Sequence, residues 1–104
     1  AVFGDTVYLS LQGSPSGVYK LPKQGGASTL LASAATPYGI AADSDGVYWT
    51  EWGRGTIWML PTGGSSPIPV ATEQVYPRDL AVDERAIYWT NDEAATAISK
   101  VAKP

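Results

Sequence analysis

The side chains best suited to chemistry in this chain are its carboxylates, which fall in close pairs: Asp43/Asp45, Asp83/Glu84 and Asp92/Glu93. Such pairs can gather calcium or divide acid and base roles between them. Calcium, however, needs roughly six to eight oxygens converging from an ordered loop. Asp43-Ser44-Asp45-Gly46 begins like a calcium loop but lacks the later Glu. The turn preference of Asp-Gly accounts for it without a metal. The chain has no His and no Cys, which removes the commonest general base, the commonest metal ligand and any thiolate site or disulfide. No catalytic residue, no metal ligand and no cofactor is assigned, and the chain is read as not an enzyme. What remains is recognition chemistry, carried by wide aromatic and cationic side chains such as Tyr38, Trp52, Arg54 and Tyr76, the types enriched at binding hot spots.

Composition narrows the partners. A net charge of −3, with only seven Lys and Arg, argues against a phosphate backbone, since nucleic-acid binding draws on clustered cations. No apolar run approaches the roughly 18 residues of a spanning helix. The start, Ala1-Val2-Phe3-Gly4-Asp5, has neither the basic nor the apolar region of a signal peptide. At 44% hydrophobic and 16% charged the chain is globular in composition, and its eleven Gly and eight Pro belong to turns.

The elements that must position these groups are set by a repeat. Val47-Tyr48-Trp49-Thr50 recurs forty residues on as Ile87-Tyr88-Trp89-Thr90 and, blurred, forty residues earlier as Val7-Tyr8-Leu9-Ser10. A period of this length points to propellers or solenoids. Each repeat reads as four short strands. In the second repeat these are Gly39 to Ala42, small and apolar; Gly46 to Glu51, with the motif; Thr56 to Leu60; and Ile68 to Ala71, whose Pro69 suits an outer edge. Within the motif strand Val47 and Trp49 share one face and Tyr48 and Thr50 the other, so burial on both faces is expected. Turns are expected at Asp45-Gly46, where positive φ would favour glycine, and at the pairs Gly25-Gly26 and Gly63-Gly64.

Tyr48-Trp49-Thr50 and Tyr88-Trp89-Thr90, the preceding Asp43 and Asp83, and the glycine pairs resemble the YWTD repeats of low-density-lipoprotein-receptor-type propellers. They are still more similar to bacterial propellers that run from a Pro-x-Gly-Ile-Ala-x-Asp element into Val-Tyr-Trp-Thr. The sequence departs at the motif's fourth residue, Asp in the receptor family but Leu11, Glu51 or Asn91 here. The resemblance implies an all-β chain and a six-bladed β-propeller, and favours an extracellular or cell-envelope setting.

The expected organisation is a single propeller segment over 1–104, about three four-stranded blades and about ten strands. Repeat 1 (1–40) lacks most of its first strand, repeat 2 (41–80) is whole, and repeat 3 (81–104) lacks its fourth strand. Propellers close as rings of typically about four to eight blades, so completion is expected from another copy, a dimer being favoured, or from further chain. Tyr48, Trp49, Tyr88 and Trp89 are assigned to the core. Loops between second and third strands and between blades share one face, and the candidate ligand or partner residues there are Tyr38, Glu51, Trp52, Arg54, Tyr76, Arg78, Asp79, Asn91 and Asp92. The expected function is a non-catalytic binding module for a protein or carbohydrate ligand. The alternatives are a structural assembly subunit and a fragment of a propeller hydrolase or lactonase.

Overall fold

A strand with large side chains on both faces needs a partner layer on each side, and the Val47-Tyr48-Trp49-Thr50 strand has both. The computed structural model describes every residue except 14 and 92–97. Its described residues form eleven strands: β1 (Val2–Phe3), β2 (Thr6–Leu11), β3 (Gly17–Pro22), β4 (Thr29–Ser33), β5 (Pro37–Asp43), β6 (Gly46–Glu51), β7 (Thr56–Pro61), β8 (Ile68–Ala71), β9 (Pro77–Val82), β10 (Ala86–Asn91) and β11 (Ile98–Ala102). They pair as three antiparallel meanders in the order β1-β2-β3-β4, β5-β6-β7-β8 and β9-β10-β11, which are the blades of a propeller. The eleventh strand, against about ten expected, is the two-residue β1. It pairs with β2 through Val2↔Val7 and Phe3↔Thr6, as the first strand of a blade should.

Every residue of β6 is buried, because blades 1 and 3 cover its two faces. Val47 and Trp49, with Leu60, pack against Val18 and Ala32 of blade 1. Tyr48, with Ile57 and Met59, packs against Ile87 and Trp89 of blade 3. The two-residue period thus divides one strand between two cores. Trp49 is 1% exposed, Tyr48 0% and Trp89 4%, while Tyr88 is half-buried on the outward face of blade 3.

Two motif side chains also stitch backbone. The β5–β6 register shifts between Pro37 and Ile40, which leaves the Gly39 amide outside the ladder. Thr50 Oγ1 accepts that amide at 2.8 Å and donates to Arg78 O at 2.8 Å, tying the first strands of blades 2 and 3. Thr90 repeats half of this, accepting Asp79 N at 3.2 Å. Tyr48 and Tyr88 donate to Asp43 and Asp83 at 3.1 and 2.8 Å, so the repeated Asp anchors the repeated Tyr.

Gly46 serves a different purpose from the one expected. Its position is set by close strand approach, since a Cβ there would overlap the carbonyl oxygen of Leu60 on β7. A left-handed turn glycine does occur at Gly63, with φ 79°. Pro69 lies in β8, the outer strand of blade 2, opposite Trp58, where no further strand needs its missing N–H.

The C-terminal end of blade 3 is clasped to blade 2. Lys103 Nζ donates to Asp43 Oδ2 at 2.6 Å and to Asp45 Oδ2 at 2.9 Å, and lies 5.6 Å from the Tyr48 ring centre. Burial works to raise the Asp43 pKa, but hydrogen bonds from Lys103, the Asp45 amide and Tyr48 outweigh it and hold the carboxyl below its ordinary value. The Lys103 ammonium is raised above its ordinary value, its bonds to Asp43 and Asp45 overcoming the opposing effect of burial.

Candidate functional site

The loops between second and third strands and those between blades do meet on one face. Trp52 N donates to Thr36 O at 2.9 Å and Gln74 N to Gly55 O at 2.9 Å. Gly53 N adds a bond to Thr36 Oγ1 at 2.8 Å. These bonds hold each blade connection against the loop of the neighbouring blade. Side chains that follow the strand ends are therefore presented on an ordered platform.

Four of the expected residues come together there. Tyr38 and Arg78 occupy the second positions of β5 and β9, repeat-equivalent and forty residues apart. The Arg78 guanidinium lies 4.9 Å from the Tyr38 ring centre and donates to Tyr38 Oη at 2.7 Å. Trp52 and Tyr76 stack with ring centres 4.6 Å apart and planes at 25°. Tyr38, Trp52 and Arg78, joined by Gln12, line a recess of about 250 Å³. Tyr38 is 40% and Tyr76 47% exposed, so aromatic surface faces solvent.

Tyr76 sits at φ 47°, the left-handed region that a bulky side chain seldom enters. The distorted backbone delivers its ring to Trp52. Strain of this kind persists only where the surroundings hold it, and it clusters at ligand-binding sites.

The other expected residues lie apart. Glu51 does not reach the surface: it is 4% exposed, and its carboxylate accepts Ala35 N at 2.8 Å, Thr36 N at 3.4 Å and Trp58 Nε1 at 2.9 Å. It braces the blade 1–blade 2 connection instead. Asn91, in the same column, is likewise engaged, donating to Gln74 Oε1 at 3.3 Å and accepting Ser99 Oγ at 3.4 Å. Arg54 is exposed on the wall of a larger recess between blades 1 and 2. Asp79 faces outward on blade 3 beside Leu80, Tyr88 and Ile98. Asp92 lies outside the described residues.

Gln12 was absent from the expected set. Its Nε2 donates to Pro37 O at 2.8 Å, which fixes it at the rim. The signal was present: Gln12 is forty residues before Trp52, in the column where the first repeat's motif is most blurred.

Among the described residues no three acidic side chains converge as a metal site. Asp83 Oδ1 accepts the amides of Arg85 and Ala86, each at 2.8 Å. The Arg85 amide first, then the Tyr88 hydroxyl, lower its pKa.

No protein-family model matches the chain, and no curated protein matches it. Among solved structures it is similar to a chain of the crystal structure of a nidogen/laminin complex, with a TM-score of 0.82 and 22% identity. The match covers 94% of this chain and 40% of that one. The likeness is one of fold: the chain spans two-fifths of the length of its structural neighbour.

Proposed function

We propose that this chain is a non-catalytic propeller interaction module that binds a protein partner through Tyr38, Trp52, Tyr76 and Arg78. The observation that carries the proposal is the Trp52–Tyr76 stack, held by a tyrosine in the left-handed region. It offers a rigid, partly exposed aromatic surface beside the Arg78–Tyr38 pair, and rigid aromatics with Arg are the side chains that dominate binding energy in protein interfaces. The structural neighbour, solved in a protein–protein complex, supports the same reading, and an extracellular setting is proposed with it. The partner segment offers an apolar or aromatic group for the stack. In the test, an identified protein captured by the wild-type chain is titrated against Tyr76→Ala and Arg78→Ala variants of unchanged melting temperature. Loss of binding supports the proposal, and binding of a glycan in place of a protein redirects it.

A second reading, assembly with further blades, is favoured by the outward faces of blades 1 and 3. Val2 (58%), Leu9 (46%) and Ile98 (76%) are exposed there, and in the repeat Leu9 and Ile98 match the buried Trp49 and Ile57. A second copy docking on these faces would give a light-scattering mass of two chains. A mass of one chain with a cooperative melt excludes it.

A further inference from the structure

The two equivalent core tryptophans differ at their indole N–H groups. Trp89 Nε1 donates to Gln74 Oε1 at 3.1 Å, and the same oxygen accepts Asn91 Nδ2 at 3.3 Å. A single carboxamide thus closes the junction between blades 2 and 3. Trp49 is just as deeply buried, yet its Nε1 has no acceptor among the described residues. Buried donors of this kind are rare enough to need a cause.

The cause lies in the blade connection. Gln74 is three residues before Pro77; three residues before Pro37 stands Ala34, whose methyl group has no acceptor to give. Ala34 and Trp49 both line a recess of about 580 Å³, together with Pro15, Ser16, Arg54 and Trp58. It shares no lining residue with the recess of Tyr38, Trp52 and Arg78.

We propose that this recess binds the side-chain carboxamide of a Gln or Asn in a partner peptide. The amide oxygen takes the Trp49 Nε1–H bond that Gln74 Oε1 takes from Trp89, and Pro15 and Trp58 flank the methylene stem. A neutral amide is preferred to a carboxylate. The Glu51 carboxylate belongs to the same wall and is 4% exposed, whereas the Arg54 guanidinium is exposed and its attraction is screened by solvent.

The test follows the Trp49 indole N–H signal by ¹H–¹⁵N NMR during titration of the full chain with N-acetyl-glutamine methylamide, the corresponding alanine compound and the glutamate compound. The glutamine compound should give a saturable shift. The alanine compound should bind about three- to tenfold more weakly, the range for one hydrogen bond, and the glutamate compound more weakly because its carboxylate meets the buried Glu51 carboxylate. Ala34→Gln should move the Trp49 signal without ligand and abolish the response. Ser16→Trp, which narrows the recess from its wall, should abolish the response too and keeps the test decisive if Ala34→Gln lowers the melting temperature. An equal response to the alanine compound, a tighter response to the glutamate compound, no saturable shift at all, or an undiminished response in Ser16→Trp would each overturn the proposal. None of these readouts depends on the Trp52–Tyr76 surface.

Discussion

Replacing Lys103 with Met removes the cation that holds the end of blade 3 to the Asp43–Asp45 turn of blade 2, and the structure fixes the size of the effect. The Lys103 side chain is 8% exposed, Asp43 24% and Asp45 57%. The Asp45 limb is largely in water and contributes a few tenths of a kcal/mol, as surface pairs do. The Asp43 limb, a 2.6 Å charge-assisted bond partly shielded from solvent, contributes about 1.5 kcal/mol. Lys103→Met should therefore cost about 2 kcal/mol in urea denaturation at neutral pH, with the m-value unchanged. A double-mutant cycle with Asp43→Asn should give a coupling of about 1 kcal/mol that shrinks only modestly in high salt, because the ammonium is buried. A coupling below about 0.3 kcal/mol would mean that the clasp behaves as a surface pair and that the inter-blade contact rests on apolar packing alone.

Trp49→Ala empties the centre of the blade 1–blade 2 core and should cost about 3–5 kcal/mol, measured as loss of the cooperative melt; a retained melting temperature would contradict its place there. Thr50→Val keeps the shape but leaves Gly39 N and Arg78 O without their shared hydroxyl, and a loss of about 2 kcal/mol in denaturant titration is expected, whereas a neutral result would remove the stitch from the account. On the acid side, the folded Asp43 pKa is lowered, so its contribution is present above the unfolded value and fades as pH falls below about 4; melting temperature against pH should fall there, and less so in Asp43→Asn. On the alkaline side, burial and the bond to Asp43 push Tyr48 up to about 12. Stability held by its neutral form therefore declines as pH rises from about 10 toward that value, and ultraviolet titration should show a tyrosine ionising well above the ordinary tyrosine range.

Much of the fold is written locally. The bounds of β6, Gly46–Glu51, follow from the motif itself, and the face assignment of Val47, Tyr48, Trp49 and Thr50 follows from strand periodicity. The first strand of blade 2 reads as Gly39 to Ala42 but extends over Pro37–Asp43, because pairing resumes at Pro37↔Glu51 beyond the register shift. A local pattern does not encode that pairing. Glu51 looks like a surface loop residue, yet its partners, the amides of Ala35 and Thr36 and the Trp58 indole, are supplied by neighbouring connections and strands. Lys103 meets Asp43 across sixty residues of chain, a contact only the stacking of blades creates. The Trp52–Tyr76 stack has the same origin: both residue types were legible, but the left-handed backbone at Tyr76 that joins them was not.

In the proposed function the surface of Tyr38, Trp52, Tyr76 and Arg78 carries partner binding while the blades serve as its frame. Isothermal titration of an identified partner protein against the wild type, Tyr76→Ala and Arg78→Ala tests this most directly. Each substitution should weaken binding by at least about tenfold, a hot-spot loss of about 1.4 kcal/mol or more, with the melting temperature unchanged. Equal affinities for all three proteins would place partner binding elsewhere on the molecule.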